Sequence, residues 1–156
     1  MSEAVSGLDA SVLSSYIAVR EGTLPAGVSI AGITGMLESD NTLRLYLDFK
    51  GVSKDDFYYF IDDTRVELDE RSDGRCYLAM RDGRNGVFSN HLQDTHTYSI
   101  SQSPDGSDPY TITASVLTYA RACAVKKGET EEIKNVRNLG KALYLYNRAA
   151  VAAFGE

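Results

Sequence analysis

Two absences concern membranes and export. No stretch of the sequence approaches the roughly 18 consecutive apolar residues that a membrane span needs. The first residues, MSEAVSGLDAS, lack the charged and apolar regions of a signal peptide. We therefore expect no membrane insertion, and either a cytosolic protein or the mature segment of an exported one.

Positive charge is scarce and scattered along the chain. The formal net charge is −6, from 16 basic and 22 acidic residues. Among the basic residues only Lys126 and Lys127 are adjacent. Binding to nucleic acid or to an anionic membrane surface depends on a cluster of basic residues. The sequence therefore predicts neither kind of partner.

Signatures of catalysis and of metal binding are also missing. Cys76 and Cys123 match no metal-binding spacing, and we expect two small buried side chains, with a disulfide as the alternative. His91 and His96 are five residues apart, which fits neither a helical zinc motif nor a zinc finger. The sequence contains no nucleophile elbow and no glycine-rich phosphate loop. We expect no catalytic residue, no metal and no cofactor, and therefore a protein that is not an enzyme.

Carboxylates are abundant between Asp55 and Asp73. A glycosidase would need two of them placed across a cleft, but these residues fall mostly in predicted turns and on outward strand positions. A solvated surface is therefore the expected role. Calcium binding is the alternative, although neither residues 69–73 nor residues 105–108 have the spacing of a twelve-residue calcium loop.

The chain contains a succession of short strand patterns. At 156 residues it has the size of one domain and can bury a core. Residues 43–50 alternate strictly between apolar and polar side chains, which is typical of a half-buried antiparallel strand. Similar segments separated by turns indicate about six to eight strands, and predict an immunoglobulin-like antiparallel β-sandwich within a module spanning residues 28–156. Residues 1–27 form a separate N-terminal segment, in which residues 11–20 fit either a short helix or a strand.

Two helices are predicted at the C-terminal end, at about residues 115–127 and 130–154. Ser115 is a suitable N-cap for the first helix and Gly128 a suitable stop. Together with the strands, these helices predict an α+β fold, in which a helical hairpin caps the sandwich.

The second predicted helix carries an apolar stripe with intervals of three and four residues, which is the repeat of one buried helix face. We expect Gly140 to mark a close approach to a partner element and Asn147 to be a buried amide with hydrogen bonds. A second apolar stripe beside the first predicts a helix that is buried on most sides. The two stripes comprise Ile133, Val136, Gly140, Leu143, Asn147, Ala150 and Phe154, and Leu139, Ala142, Tyr146, Ala149 and Ala153.

Tyrosine is the prominent aromatic residue, with ten tyrosines and no tryptophan. By strand alternation, Tyr46 and Tyr77 face away from the predicted core. Either the two C-terminal helices cover this second face of the sheet, or the tyrosines form an exposed platform for a sugar or a protein. We expect the helices to cover it.

The C-terminal residues 113–154 resemble part of a β-sandwich module that recurs in large secreted and cell-surface proteins of gut-dwelling Gram-positive anaerobes. The most specific part is KALYLYN at residues 141–147, followed by Ala149, Ala150 and Phe154. The segments ITGMLESDNTLRLYLDF and HLQDTHTYSIS resemble earlier strands of the module, so the resemblance spans roughly residues 30–154.

The resemblance implies a non-catalytic, extracellular module within a longer chain, itself monomeric. We expect a non-enzymatic role in binding or adhesion, with an extracellular host protein such as an immunoglobulin as the partner. The alternative is a carbohydrate-binding or spacer module attached to an extracellular enzyme. Ligand contacts are expected where turns gather and side chains are exposed. The candidate ligand-contacting residues are Asp62, Asp63, Arg84, Asn85, Asp105 and Asp108.

Overall fold

A computed structural model describes residue 5 and residues 7–37, 41–79 and 91–154 of the chain. Within these residues, nine strands and two α-helices form an α+β fold. The strands are β1 (Val19–Glu21), β2 (Val28–Leu37), β3 (Asn41–Phe49), β4 (Tyr58–Ile61), β5 (Thr64–Val66), β6 (Asp69–Glu70), β7 (Cys76–Ala79), β8 (His96–Ser101) and β9 (Tyr110–Ala114). The helices are α1 (Val116–Ala124) and α2 (Glu131–Phe154), and short 3-10 turns lie at Ala10–Leu13 and Lys54–Asp56.

The strands form two antiparallel sheets. The five-stranded sheet has the order β1-β9-β8-β4-β5, and the four-stranded sheet has the order β2-β3-β7-β6. The predicted sandwich with a C-terminal helical pair is thus confirmed. The described strands exceed the six to eight that were expected, because short pairings of two and three residues, at β6 and β1, carry little sequence signal.

The core lies between the two sheets. Leu45 and Leu47 of β3 are buried, as the strict alternation of that strand predicts, and they join Tyr98 and Ile112 of the five-stranded sheet in one apolar cluster. The hydroxyl of Tyr98 donates a hydrogen bond to the carbonyl oxygen of Leu43 at 2.7 Å. Because Tyr98 belongs to one sheet and Leu43 to the other, this bond ties the two layers together.

The described part of the N-terminal segment belongs to the same core. Leu13, in the first 3-10 turn, is fully buried. Strand β1 then pairs with β9, with Val19 opposite Thr113. The segment therefore provides an edge strand of the five-stranded sheet.

Helix α1 begins at the predicted cap. The side chain of Ser115 accepts a hydrogen bond from the backbone N–H of Thr118 at 3.2 Å. In return, the side-chain oxygen of Thr118 accepts a hydrogen bond from the backbone N–H of Ser115. Helix α2 packs mainly against α1, and α1 in turn contacts β2 and the first 3-10 turn. The helical hairpin thus meets the sheets through its first helix.

The first apolar stripe of α2 is confirmed as its buried face. Gly140, Leu143 and Ala150 are buried, and the amide of buried Asn147 donates a hydrogen bond to Gln93 at 2.7 Å. A methyl group at Gly140 would collide with the backbone oxygen of Ala120, so the two helix backbones approach closely there.

The prediction that α2 is buried on most sides is wrong. Tyr146 in its second stripe is 55% exposed, and Ala149 and Ala153 are exposed as well. The reason is that α2 packs mainly against α1, which covers only one face of it.

Candidate functional site: an arginine groove on the four-stranded sheet

Tyr46 and Tyr77 lie side by side on the outer face of the four-stranded sheet. They are register partners in the β3–β7 pairing, and directly opposed residues in a sheet project to the same face. Their ring centroids are 5.4 Å apart, with a tilt of 45° between the planes. Each residue is 8% exposed, so the expected burial of both tyrosines is confirmed.

Arginine side chains cover the tyrosine pair. The guanidinium carbon of Arg44 lies 4.3 Å from the Tyr77 ring centroid. The guanidinium carbons of Arg75 and Arg71 lie 5.5 Å and 5.8 Å from the Tyr46 ring centroid. All three distances fall within the range of cation–π attraction. Guanidinium groups therefore cover the tyrosine pair, and the carboxylate of Asp69, the register partner of Tyr77, projects to the same face.

The expectation that the two helices cover this face is wrong. A Cβ atom placed on Gly35 of β2 would lie 2.7 Å from the ring of Tyr119 in α1. Gly35 is paired with Leu43, whose fully buried side chain projects into the core. Helix α1 therefore approaches the four-stranded sheet from its core side, opposite to the tyrosines.

A tight turn between β6 and β7 positions two of the three arginines. The backbone N–H of Arg71 donates to the carbonyl oxygen of Arg75 at 2.8 Å, and the N–H of Gly74 donates to the carbonyl oxygen of Arg71 at 2.9 Å. Gly74 has a φ of +88°, which glycine adopts without steric cost. Asp73 in this turn forms an ion pair with Arg71 at 3.0 Å. The turn thus fixes the backbone from which both arginines extend over Tyr46.

The three arginines border a shallow groove of about 470 Å³, which we call the arginine groove. Every charged residue in its described lining is an arginine. A Cβ atom on Gly32, next to a β-bulge, would have no atom within 4 Å, so this position opens into the groove. The lining residues are Ala31, Gly32, Thr34, Arg44, Tyr46, Arg71 and Arg75.

The arginines also act on the phenol of Tyr46. Burial disfavours the phenolate, but hydrogen bonds from Arg44 and Arg71 and their positive charges outweigh this effect, so the pKa of Tyr46 is lowered from its ordinary value. The hydroxyl oxygen of Tyr46 accepts a hydrogen bond from Arg44 at 3.3 Å. Arg44 and Arg71 thus favour negative charge at the Tyr46 hydroxyl.

Comparisons with protein-family models, curated proteins and solved structures find no match.

The chemistry of the groove follows from its side chains. Guanidinium groups stay protonated at all ordinary pH values and offer only hydrogen-bond donors. The described lining contains no histidine, cysteine or carboxylate that would exchange protons near neutral pH. The groove is therefore suited to holding an anion.

A second groove differs in its charge. It has a volume of about 590 Å³ and lies beside β4 and β5, where the guanidinium of Arg65 is stacked 4.5 Å above the Tyr58 ring. Lys54 and Arg65 in its lining are balanced by Asp55 and Glu67. This groove has the same arginine–tyrosine stacking without the concentration of positive charge.

Asp62 and Asp63 form the two-residue turn between β4 and β5. Both have positive φ, 50° and 66°, which is the conformation of a type I′ hairpin turn. The carboxylate of Asp62 accepts a hydrogen bond from the backbone N–H of Thr97 at 2.9 Å and lies 2.6 Å from Nδ1 of His96. Asp62 thus anchors the hairpin to β8.

Asp105 and Asp108 lie in the loop between β8 and β9, at the opposite end of the five-stranded sheet. Asp105 accepts a hydrogen bond from the backbone N–H of Ser107 at 2.9 Å, and such hydrogen bonds lower the pKa of its carboxyl. The structure does not bring this loop together with Asp62 and Asp63. Arg84 and Asn85 lie outside the described residues, and ligand contact by these six residues stays a prediction.

Three further features of the described residues are the placement of their metal-ligating side chains, the state of the two cysteines and the apolar character of the helices. Across residues 7–37, 41–79 and 91–154, no group of three or more histidine, cysteine, aspartate or glutamate side chains is arranged to hold a metal ion. Cys76 and Cys123 are both buried and free, as two small core side chains were expected to be, and burial raises the pKa of each thiol. No helix of the described chain combines the length and the apolar character that crossing a membrane requires.

The three arginines were not predicted as a group from the sequence. A signal was nevertheless present, because arginine precedes tyrosine by two positions twice, at Arg44 and Tyr46 within β3 and at Arg75 and Tyr77, where Arg75 directly precedes β7. Residues two apart on a strand lie on the same face. What links the two pairs is the register of β3 and β7, which strand alternation alone does not specify.

Proposed function

We propose that the protein is a non-enzymatic binding module of a secreted or cell-surface bacterial protein, and that the arginine groove is its ligand site. The observation that carries this proposal is the packing of three arginines over a tyrosine pair on the outer face of a sheet. Cation–π contacts hold these groups in place. The cationic cluster contrasts with a chain whose net charge is −6.

The extracellular setting is supported by the resemblance of residues 30–154 to a surface module of gut-dwelling Gram-positive anaerobes. In such a setting the module is one of several in a longer chain. Its task is to bind or to adhere, and the catalytic work, where there is any, belongs to other modules.

The size of the groove favours a glycan over a folded host protein as the ligand. Its volume of about 470 Å³ lies within the roughly 300–1,000 Å³ of small-ligand sites. A host protein such as an immunoglobulin would need a contact surface of about 800 Å² on each partner, and so would have to contact the surface around the groove as well as the groove itself. Of the two functions expected from the sequence, carbohydrate binding is therefore the one that the groove supports better.

A variant that fills the groove tests this proposal. Gly32→Phe places a ring in the open space above the bulge, and Val19→Phe adds the same ring at an exposed position of the other sheet. In one experiment, wild type and variants are immobilised and exposed to host serum and mucus. In a second, the same proteins in solution are applied to a glycan array. We expect wild type and Val19→Phe to retain the same ligand and Gly32→Phe to lose it, with all three melting alike. Equal retention by all three proteins would refute the groove as the binding site.

A further inference from the structure

The tyrosine rings of the arginine groove offer little surface for stacking. Tyr46 and Tyr77 are each 8% exposed, because guanidinium groups cover them. A neutral sugar that binds by stacking on an aromatic ring therefore has no free ring face here. What the groove presents to solvent is the guanidinium N–H groups.

These N–H groups are suited to oxyanions. A guanidinium is planar and presents paired donors that match the two oxygens of a carboxylate or a sulfate. Stacking on the rings restricts the arginine side chains before the ligand arrives, so less conformational entropy is lost on binding. Arg71 already holds the Asp73 carboxylate at 3.0 Å. Since exposed ion pairs of this kind contribute little to stability, a ligand anion would displace Asp73 at little cost.

The charge of the whole chain restricts such binding to this place. With a net charge of −6, the protein repels polyanions in general. The rival groove at Arg65 carries carboxylates that cancel its positive charge. The arginine groove has three arginines and no carboxylate in its described lining, and with Asp69 and Asp73 beside it the positive charges still outnumber the negative ones.

We propose that the ligand of the arginine groove is an acidic glycan, recognised through its carboxylate or sulfate groups by Arg44, Arg71 and Arg75. This inference rests on the proposed function of the groove as a ligand site and specifies the ligand class. The size of the arginine groove fits a short stretch of sugar units. The Thr34 hydroxyl in its lining is available to a sugar hydroxyl.

Binding of defined polymers tests the proposal. Polygalacturonate and dextran sulfate represent carboxylated and sulfated glycans, dextran is the neutral control, and poly-L-glutamate represents an acidic peptide. Each is titrated into wild type, Arg71→Gln/Arg75→Gln and the control Arg65→Gln, which removes an arginine stacked on a tyrosine in the other sheet. All proteins are first compared by circular dichroism and thermal melting, and Arg75→Lys replaces the double variant where that variant melts early.

We expect at least one acidic glycan to bind wild type and Arg65→Gln, and dextran not to bind. The double variant should lose about tenfold or more in affinity, since hydrogen bonds to charged groups are stronger than those between neutral groups. Arg75→Lys keeps the charge but loses the paired donors, so it should also bind more weakly. Added salt should weaken the binding of wild type, because the groove is open to solvent.

Three results would overturn the inference. One is equal binding by wild type and the arginine variants, and another is poly-L-glutamate binding as tightly as the acidic glycans. The third is no binding of any acidic glycan. If Gly32→Phe still abolishes ligand retention in that third case, the groove remains the ligand site and only the acidic ligand class is refuted.

Discussion

Replacing Tyr77 by alanine is expected to lower the free energy of unfolding by about 3 kcal/mol or more, as for other large buried aromatic side chains. The ring is 8% exposed and packs against Tyr46 and under Arg44. Its loss leaves a cavity on the outer face and removes the support of the guanidinium. Chemical denaturation of wild type and variant measures the difference.

The matched control for this change is Tyr146→Ala. Tyr146 is 55% exposed on helix α2, so its replacement should change the unfolding free energy by about 0.5 kcal/mol or less. Similar small effects for both variants would show that Tyr77 is open to solvent. The arginines would then not be held over the ring as described.

Gly140→Ala is expected to destabilise the protein, by about 1–3 kcal/mol, as overpacking does. In an exposed helix the same change stabilises, by roughly 0.5–1 kcal/mol, because alanine is the better helix former. At Gly140 the added methyl group would meet the backbone oxygen of Ala120, and would lie 2.7 Å from the backbone nitrogen of Ala124. Backbone atoms cannot rotate away, so α1 and α2 must separate.

The reverse substitution at an exposed site is the control. Ala149→Gly on the exposed side of α2 should also destabilise, by about 1 kcal/mol, through helix propensity alone. Glycine is thus the better residue at position 140 and the worse one at position 149. Stabilisation by Gly140→Ala would contradict the close approach of the two helices.

Much of the fold follows from local periodicity. The alternation of residues 43–50 places Leu45 and Leu47 in the core, and the intervals of three and four place Leu143 on the buried face of α2. The Ser115 cap likewise follows from a short local pattern. Such patterns report which face of an element is buried, because side-chain direction repeats regularly along a strand or a helix.

Periodicity does not report what covers a buried face. The burial of Tyr46 and Tyr77 was expected, but the helices were expected to cover them, and arginines do. Likewise, the alanines of the second α2 stripe indicated burial, yet Ala149 is exposed. Alanine favours helices through backbone propensity whether or not it is buried, so its presence distinguishes poorly between the two.

The candidate site was missed for a related reason. Arg44 is far in sequence from Arg71 and Arg75, and the register of β3 with β7 brings them together. A count of adjacent basic residues cannot detect a cluster assembled across strands. The turns at Asp62 and Asp105 were predicted to contact a ligand because turn residues cluster in sequence, but the two turns lie at opposite ends of one sheet.

The most direct test of the account is to map the binding surface by amide chemical-shift perturbation with short fragments of whichever acidic glycan binds, polygalacturonate or dextran sulfate. We predict perturbations at Gly32, Thr34, Arg44 and Tyr77, which border or underlie the arginine groove, and none at Asp62 or Asp105. Perturbations confined to those two turns, or an unperturbed groove at saturating ligand, would contradict the account.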